Sequence, residues 1–207
     1  MIKTTDQNRL IEVTQSKSSD DYDRWIAASY LGDFGKHTSQ KTIEVLIALL
    51  KDGNQNVRDH AADSLGRIAG TPELKDTVIK QSLQPLVNLL KSGESLGAAS
   101  AAKVLGQFGD SSAVDDLIRV MEINSKWWQI RKNAAIALGL IGDKRAVKPL
   151  VNALKDRFSP DIRISAAESL ARLRDASAID QLKILEADDN INVRIAVKTA
   201  INILKSY

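Results

Sequence analysis

Five arginines recur at a regular spacing: Arg24, Arg58, Arg131, Arg163 and Arg194. A row of guanidinium groups could bind a series of phosphates. It could equally hold carboxylates and carbonyls in fixed two-pronged contacts. The slot that completes the row is Ala98, so an anion groove would lose its middle rung. The fixed-contact reading is therefore preferred. Three tryptophans are the other residues with chemical potential. Trp25 adjoins Arg24, with Tyr22 and Tyr30 close in sequence. Trp127 and Trp128 sit in Ser125-Lys126-Trp127-Trp128-Gln129-Ile130, where related turns read Gly53-Asn54-Gln55-Asn56 and Asp188-Asp189-Asn190. Adjacent rings at a helix start face different ways. Either they plug a local gap, or at least one is exposed and anchors a partner or a planar ligand.

Other chemistry finds no support. With no cysteine, the chain excludes disulfides, zinc–thiolate sites and thiol nucleophiles. His37 and His60 lie too far apart in the chain to suggest a metal site, so no metal is expected. Asp115-Asp116 and Asp188-Asp189 are sequence neighbours whose side chains diverge on a helix. No nucleophile elbow, phosphate loop or dinucleotide fingerprint occurs, so no catalytic residue is assigned. The balance of 29 basic and 26 acidic residues gives a net charge of +3, which argues against nucleic acid. Apolar runs fall far short of the ~20 residues of a membrane span. The stretch Met1 to Leu10 has no apolar leader core, so a cytoplasmic location is expected.

The elements that carry these residues come from an internal repeat. Val57-Arg58-Asp59-His60-Ala61-Ala62-Asp63-Ser64-Leu65-Gly66-Arg67-Ile68 returns as Ile130 to Ile141 and as Ile162 to Leu173. Further copies are Asp23 to Phe34, Gly97 to Phe108 and a worn one, Val193 to Leu204. The Arg slots, at 24, 58, 98, 131, 163 and 194, are 34, 40, 33, 32 and 31 residues apart, one helical hairpin per step. A second element follows each first one: Thr42 to Lys51, Ser82 to Lys91 and Ala146 to Lys155, with looser copies at Ala113 to Glu122 and Ala178 to Glu186. Apolar residues at 43, 46, 47 and 50 share one helical face.

Gly35, Gly70, Gly109 and Gly142 are expected in left-handed conformation at first-helix ends. Asp110, Asp143 and Asp175 are placed to cap the next element. Thr71-Pro72-Glu73 reads as a helix start. The Ala-Ala pairs shave one face of each first helix, which lets helices approach closely. Few aromatics, 4% of the chain, suit such packing. No segment alternates with period two, so strands are not expected.

The pattern V/I-R-x-x-A-A-x-x-L-G-x-I/F-G-D, then A-V-x-P-L-V-x-A-L-K-D, resembles the HEAT repeat. More narrowly it is similar to the short HEAT-like repeats of phycobilisome lyases. The resemblance covers Asp20 to Lys205. It implies an all-α, right-handed α-solenoid of about five to six hairpins. Residues 1–19 would form an N-terminal capping helix, 20–192 five hairpins and 193–207 a C-terminal cap. The recurrent arginines would be a structural ladder. Related iron-dependent hydroxylases use His-Glu pairs, which are missing here: His37-Thr38 and His60-Ala61.

The second helices would line the concave side. Glu44, Gln84, Asp115, Lys148 and Asp180 fall in one row; Ala48, Asn88, Arg119, Asn152 and Ile184 fall in the next. Mixed signs there suit a protein partner. The expected function is a non-enzymatic scaffold without a cofactor. Candidate interaction residues are Tyr22, Trp25, Trp127, Trp128, Lys148, Asn152, Arg119 and Asn88. The alternative implied by the resemblance is a bilin lyase or lyase-chaperone subunit. In that case Tyr22, Trp25, Trp127 and Trp128 would line a pigment site.

Overall fold

A computed structural model describes residues 4–16, 20–93, 96–123 and 127–206; for 4 and 5 only the backbone is described. Met1 to Lys3, Ser125, Lys126 and Tyr207, which entered the sequence reading, lie outside the described residues. The described residues contain helices and no strand, as the missing period-two pattern predicts. The fold is that of an α-solenoid repeat protein. None of these helices is long and apolar enough to cross a membrane.

The chain forms two compact units, divided between Phe108 and Gly109. The first holds α1 (Thr4–Gln15), α2 (Asp21–Leu31), α3 (Gln40–Leu49), α4 (Gln55–Ala69), α5 (Lys75–Lys91) and α6 (Leu96–Phe108). Here α2, α4 and α6 stack side by side, α1 covers α2, and α5 packs on α4 and α6. The second holds α7 (Val114–Glu122), α8 (Trp128–Ile141), α9 (Val147–Ala153), α10 (Pro160–Leu173), α11 (Ile179–Ile184) and α12 (Ile191–Lys205). Again the first helices α8, α10 and α12 stack, while α7, α9 and α11 pack on them.

The apolar stripe of each helix explains this layering. Ile43, Leu46, Leu65, Ile68 and Leu86 are fully buried in the first unit, as are Leu117, Ile130 and Leu138 in the second. Each such side chain stabilises by roughly 1.5–3 kcal/mol. The Ala pairs are buried at the helix contacts, where larger groups would not fit.

Caps set the helix starts. Ser39 accepts from the Thr42 amide, and Asn54 and Asn190 each accept from the two amides at the head of α4 and α12. Asp110, Asp143 and Asp175 take the amides of Ser112, Arg145 and Ser177, in short 3-10 turns that lead into α7, α9 and α11.

Gly35, Gly109 and Gly142 have the expected positive φ, but Gly70 does not. Its φ is −68°, because α4 runs on to Ala69 and leaves through a right-handed turn. Thr71-Pro72-Glu73 lies in that turn, and α5 starts at Lys75 with Leu74 as its uncapped boundary. After α10 the left-handed position is taken by Arg174, with φ 51°.

Candidate functional site

The recurrent arginines stand at the starts of first helices, beside the turns that join hairpins. Arg24 grips the Asp52 carboxylate with both nitrogens, at 2.7 and 3.2 Å. Arg58 donates to the carbonyls of Asp52 and Gly53 at 2.6 and 2.9 Å. Arg131 pairs with the Asp156 carboxylate at 2.6 Å and donates to the Met121 carbonyl at 2.9 Å. Arg163 donates to the Asp156 carbonyl and the Asp188 carboxylate, both at 2.8 Å. Arg194 donates to the carbonyls of Asp188 and Asp189 at 2.7 and 3.1 Å.

The pattern is a ladder with shared nodes. Asp52, Asp156 and Asp188 each offer a carboxylate to one Arg and a carbonyl to the next. These aspartates carry the rungs, yet sequence reasoning named only their arginine partners. Their signal was the acidic residue six or seven positions before the next Arg.

The carboxylates are matched to this task. Burial pushes the Asp156 carboxyl up. The amides of Ser159 and Phe158 and the Arg131 guanidinium outweigh it and hold the group below its usual range. Burial likewise raises Asp188, and Arg163 and the Asn190 amide more than reverse it. Each of these arginines is occupied by protein groups.

The rings divide. Trp25 is half-buried, edge-on to Tyr22 at 5.2 Å and stacked on His60 at 4.5 Å with an 18° tilt. Tyr22 and Tyr30 are themselves exposed. The turn holding Trp127 and Trp128 likewise splits its pair. Trp127 is half-buried with its indole nitrogen out of solvent. Trp128, on the first turn of α8, is 38% exposed, with the Lys132 ammonium 5.6 Å from the ring centre. Such a cation over an exposed ring contributes ~0.5–1 kcal/mol.

The second helices present their two rows to solvent. In the first unit Glu44, Ala48, Gln84 and Asn88 are exposed; Gln84 donates to Asn88 at 3.0 Å. In the second unit Asp115, Arg119, Lys148, Asn152, Asp180 and Ile184 are exposed. Arg145 pairs with Asp115 at 2.9 Å, and Arg119 pairs with Asp116 at 2.9 Å. Exposed pairs of this kind contribute ~0–1 kcal/mol each, so they order the face more than they stabilise it. His37 is exposed and His60 serves the Trp25 stack. Among the described residues no group of His, Asp and Glu is arranged to hold a metal ion.

Known proteins share this design. The family model for HEAT repeats matches residues 8–83, 83–157 and 121–202. A HEAT repeat-containing taxis protein of Halobacterium salinarum is 29% identical over 132 residues, 63% of this chain and 32% of that protein. The phycocyanobilin lyase subunit alpha of a Picosynechococcus strain is 47% identical over 62 residues, 29% of this chain and 22% of the subunit. The chain thus spans about a third or less of the length of these relatives. Among solved structures, the complex of CpcE and CpcF of phycocyanin lyase from Nostoc has a similar fold. Its TM-score is 0.68 at 21% identity, over 94% of this chain and 75% of that one.

Proposed function

Because the chain belongs to the HEAT-repeat family, we propose that it acts as a binding module whose second-helix face receives a partner protein. The observation that supports this reading is the chemistry of the face. Its two rows are exposed in every second helix, and they mix acids, bases, amides and single apolar groups. A duplex nucleic acid asks for a uniformly basic surface. A protein surface of mixed polarity complements alternating signs and amides. Trp128 adds an exposed ring at the head of α8, and rings of this kind concentrate binding energy. No catalytic role and no cofactor is assigned to it.

Replacement of Arg119 and Lys148 by Glu tests the reading. Immobilised wild-type protein should retain a discrete partner from its source, and the double variant should lose it at least tenfold. A first-helix variant, Lys103→Ala, should keep it. Equal capture by all three proteins would remove the second-helix face from consideration.

A second reading rests on the 47% identity to a phycocyanobilin lyase subunit. Under it the module assists attachment of a bilin to a phycobiliprotein, with Tyr22 and Trp25 of the first unit, or Trp127 and Trp128 of the second, as candidate pigment contacts. Mixing with phycocyanobilin should then shift or sharpen the visible absorption band. An unchanged band would leave the partner-binding module without a pigment.

A further inference from the structure

Helix α10 is flanked by two first helices, α8 and α12, and the two seams are built differently. On the α8 side, a Cβ at Gly139 would fall 2.5–2.8 Å from Ser169 atoms, including its backbone Cα. The Ser169 hydroxyl donates to the Ala135 carbonyl across this contact at 2.8 Å. Counted from the recurrent Arg, the same two positions on the α12 side are Ala171 and Ala200. Ala171 adds a methyl where Gly139 has none. Ala200 lacks the hydroxyl that Ser169 uses. Ala171 and Ala200 are themselves buried, so the helices meet there, but without the closer approach and the bond of the neighbouring seam.

A groove of about 750 Å³ lies there. Its apolar wall is made by Ile164, Ala171, Ile195, Ala196, Ala200 and Ile203. Ile195 is 57% and Ile203 39% exposed, a large aliphatic area left in water. From Asn192 to Ile203 the wall runs roughly 16 Å at 1.5 Å per residue. The volume is in the range of small-ligand sites.

The groove has a charged end. Arg172 and Arg174, at the close of α10, line it together. Among the described residues Arg174 is the one non-glycine with positive φ, at 51°. Gly142 holds the left-handed position that ends α8. The turn that Arg174 makes also presents the Leu173 and Arg174 carbonyls to the Lys144 ammonium, which adds a further cation beside this end. Glu168, one turn before Arg172 on the same wall, keeps the middle of the groove unfavourable for an anion. One end is thus cationic and the body is apolar.

We propose that this groove binds a free long-chain carboxylic acid, tail along Ile164, Ile195 and Ile203, head on Arg172 and Arg174. The guanidinium fork matches a carboxylate in shape and charge. The site lies between first helices, so it stands apart from the second-helix face.

Dodecanoate is the probe, added to the full chain below its micellar concentration. Binding is read by calorimetry and by displacement of 1-anilinonaphthalene-8-sulfonate. Saturable binding at a single site is expected, at least tenfold tighter than dodecanol. Arg172→Ala combined with Arg174→Gly should weaken it tenfold or more. Glycine relieves the left-handed strain, so that variant should melt no lower than the parent, which separates lost binding from lost folding. Ala171→Gly with Ala200→Ser should also abolish binding, by letting the seam close as it does against α8. The proposal is overturned by absence of saturable dodecanoate binding. Equal binding of dodecanol, or unchanged binding in both variants, overturns it too. So does binding confined to vesicles of phosphatidylglycerol, which would make the patch a membrane contact.

Discussion

The two flanks of α10 share one edge and differ in their seams. At the turn edge, Asp156 and Asp188 make the same rung: each takes one Arg on its carboxylate and the next Arg on its carbonyl. At the seams, Gly139 meets Ser169 on one side while Ala171 and Ala200 leave a groove on the other. The difference shows that the repeat is constrained in two ways. Charged contacts at the edge need a complete set of partners, because a buried charge without its partner is costly. Seams between helices depend on single carbon and oxygen atoms, so one-atom changes alter them without unfolding the array.

The largest expected effect lies at the edge. Arg131→Met leaves the Asp156 carboxylate, whose side chain is only 4% exposed, with the Phe158 and Ser159 amides but no cation, and should cost about 3 kcal/mol in urea denaturation. Arg163→Met should cost nearly as much, since Asp188 is 11% exposed. A loss below about 1 kcal/mol at either rung would break the symmetry claimed for the edge.

Acid should weaken the same rungs. Both aspartates have folded pKa values held below their usual 3.8. Their stabilisation is complete above that value and is lost as pH falls through the depressed folded values. The urea midpoint should therefore drop in strong acid, and less steeply in Arg131→Met.

The seams should respond unequally. Gly139→Leu forces a side chain into Ser169 and should cost at least ~1–3 kcal/mol. Ala171 is buried but lines the groove, so Ala171→Leu should cost less than Gly139→Leu. Similar losses at the two positions would erase the distinction.

The smallest effect is that of one hydroxyl. Ser169→Ala removes a buried bond to the Ala135 carbonyl and should cost about 1 kcal/mol in thermal or urea melts. Ala200→Ser alone should be nearly neutral, because Ala171 still holds the helices apart.

Much of the fold was legible because a repeat shows each element several times. Arg, Ala-Ala and Leu-Gly recur in register, so the hairpins and their caps at Asp110, Asp143 and Asp175 could be read from spacing. Local backbone choice was less legible. Gly70 resembles Gly142, yet a longer α4 and the Thr71-Pro72 turn keep it right-handed. Arg174 is left-handed without the residue type that signals it.

Contacts across the repeat were least visible. Trp25 and His60 are far apart in sequence and in unlike slots, so no spacing rule pairs them. The groove depends on a missing hydroxyl and an added methyl. Their meaning emerges only once α10 is known to face α12 with that side. The second-helix rows were readable by period, since exposure there follows from the 3.6-residue turn alone.

The ladder also sets where this chain tolerates growth. From each node aspartate to the next Arg the separation is 6, 7 and 6 residues. From Arg forward to its carboxylate it is 28 residues for Arg24 and 25 for Arg163. The short link varies by one residue and the long one by three, and the slots at Arg58 and Ala98 stand 40 residues apart. In that longer repeat the added residues lie in the second helix, since α5 has 17 residues and α3 has 10. The Asp156–Arg163 link already carries one residue more than the other two and still makes both of its rungs. For fusion of a tag or a further domain, the hairpin interior is therefore a better site than an aspartate turn, where carboxylate and carbonyl each hold an arginine.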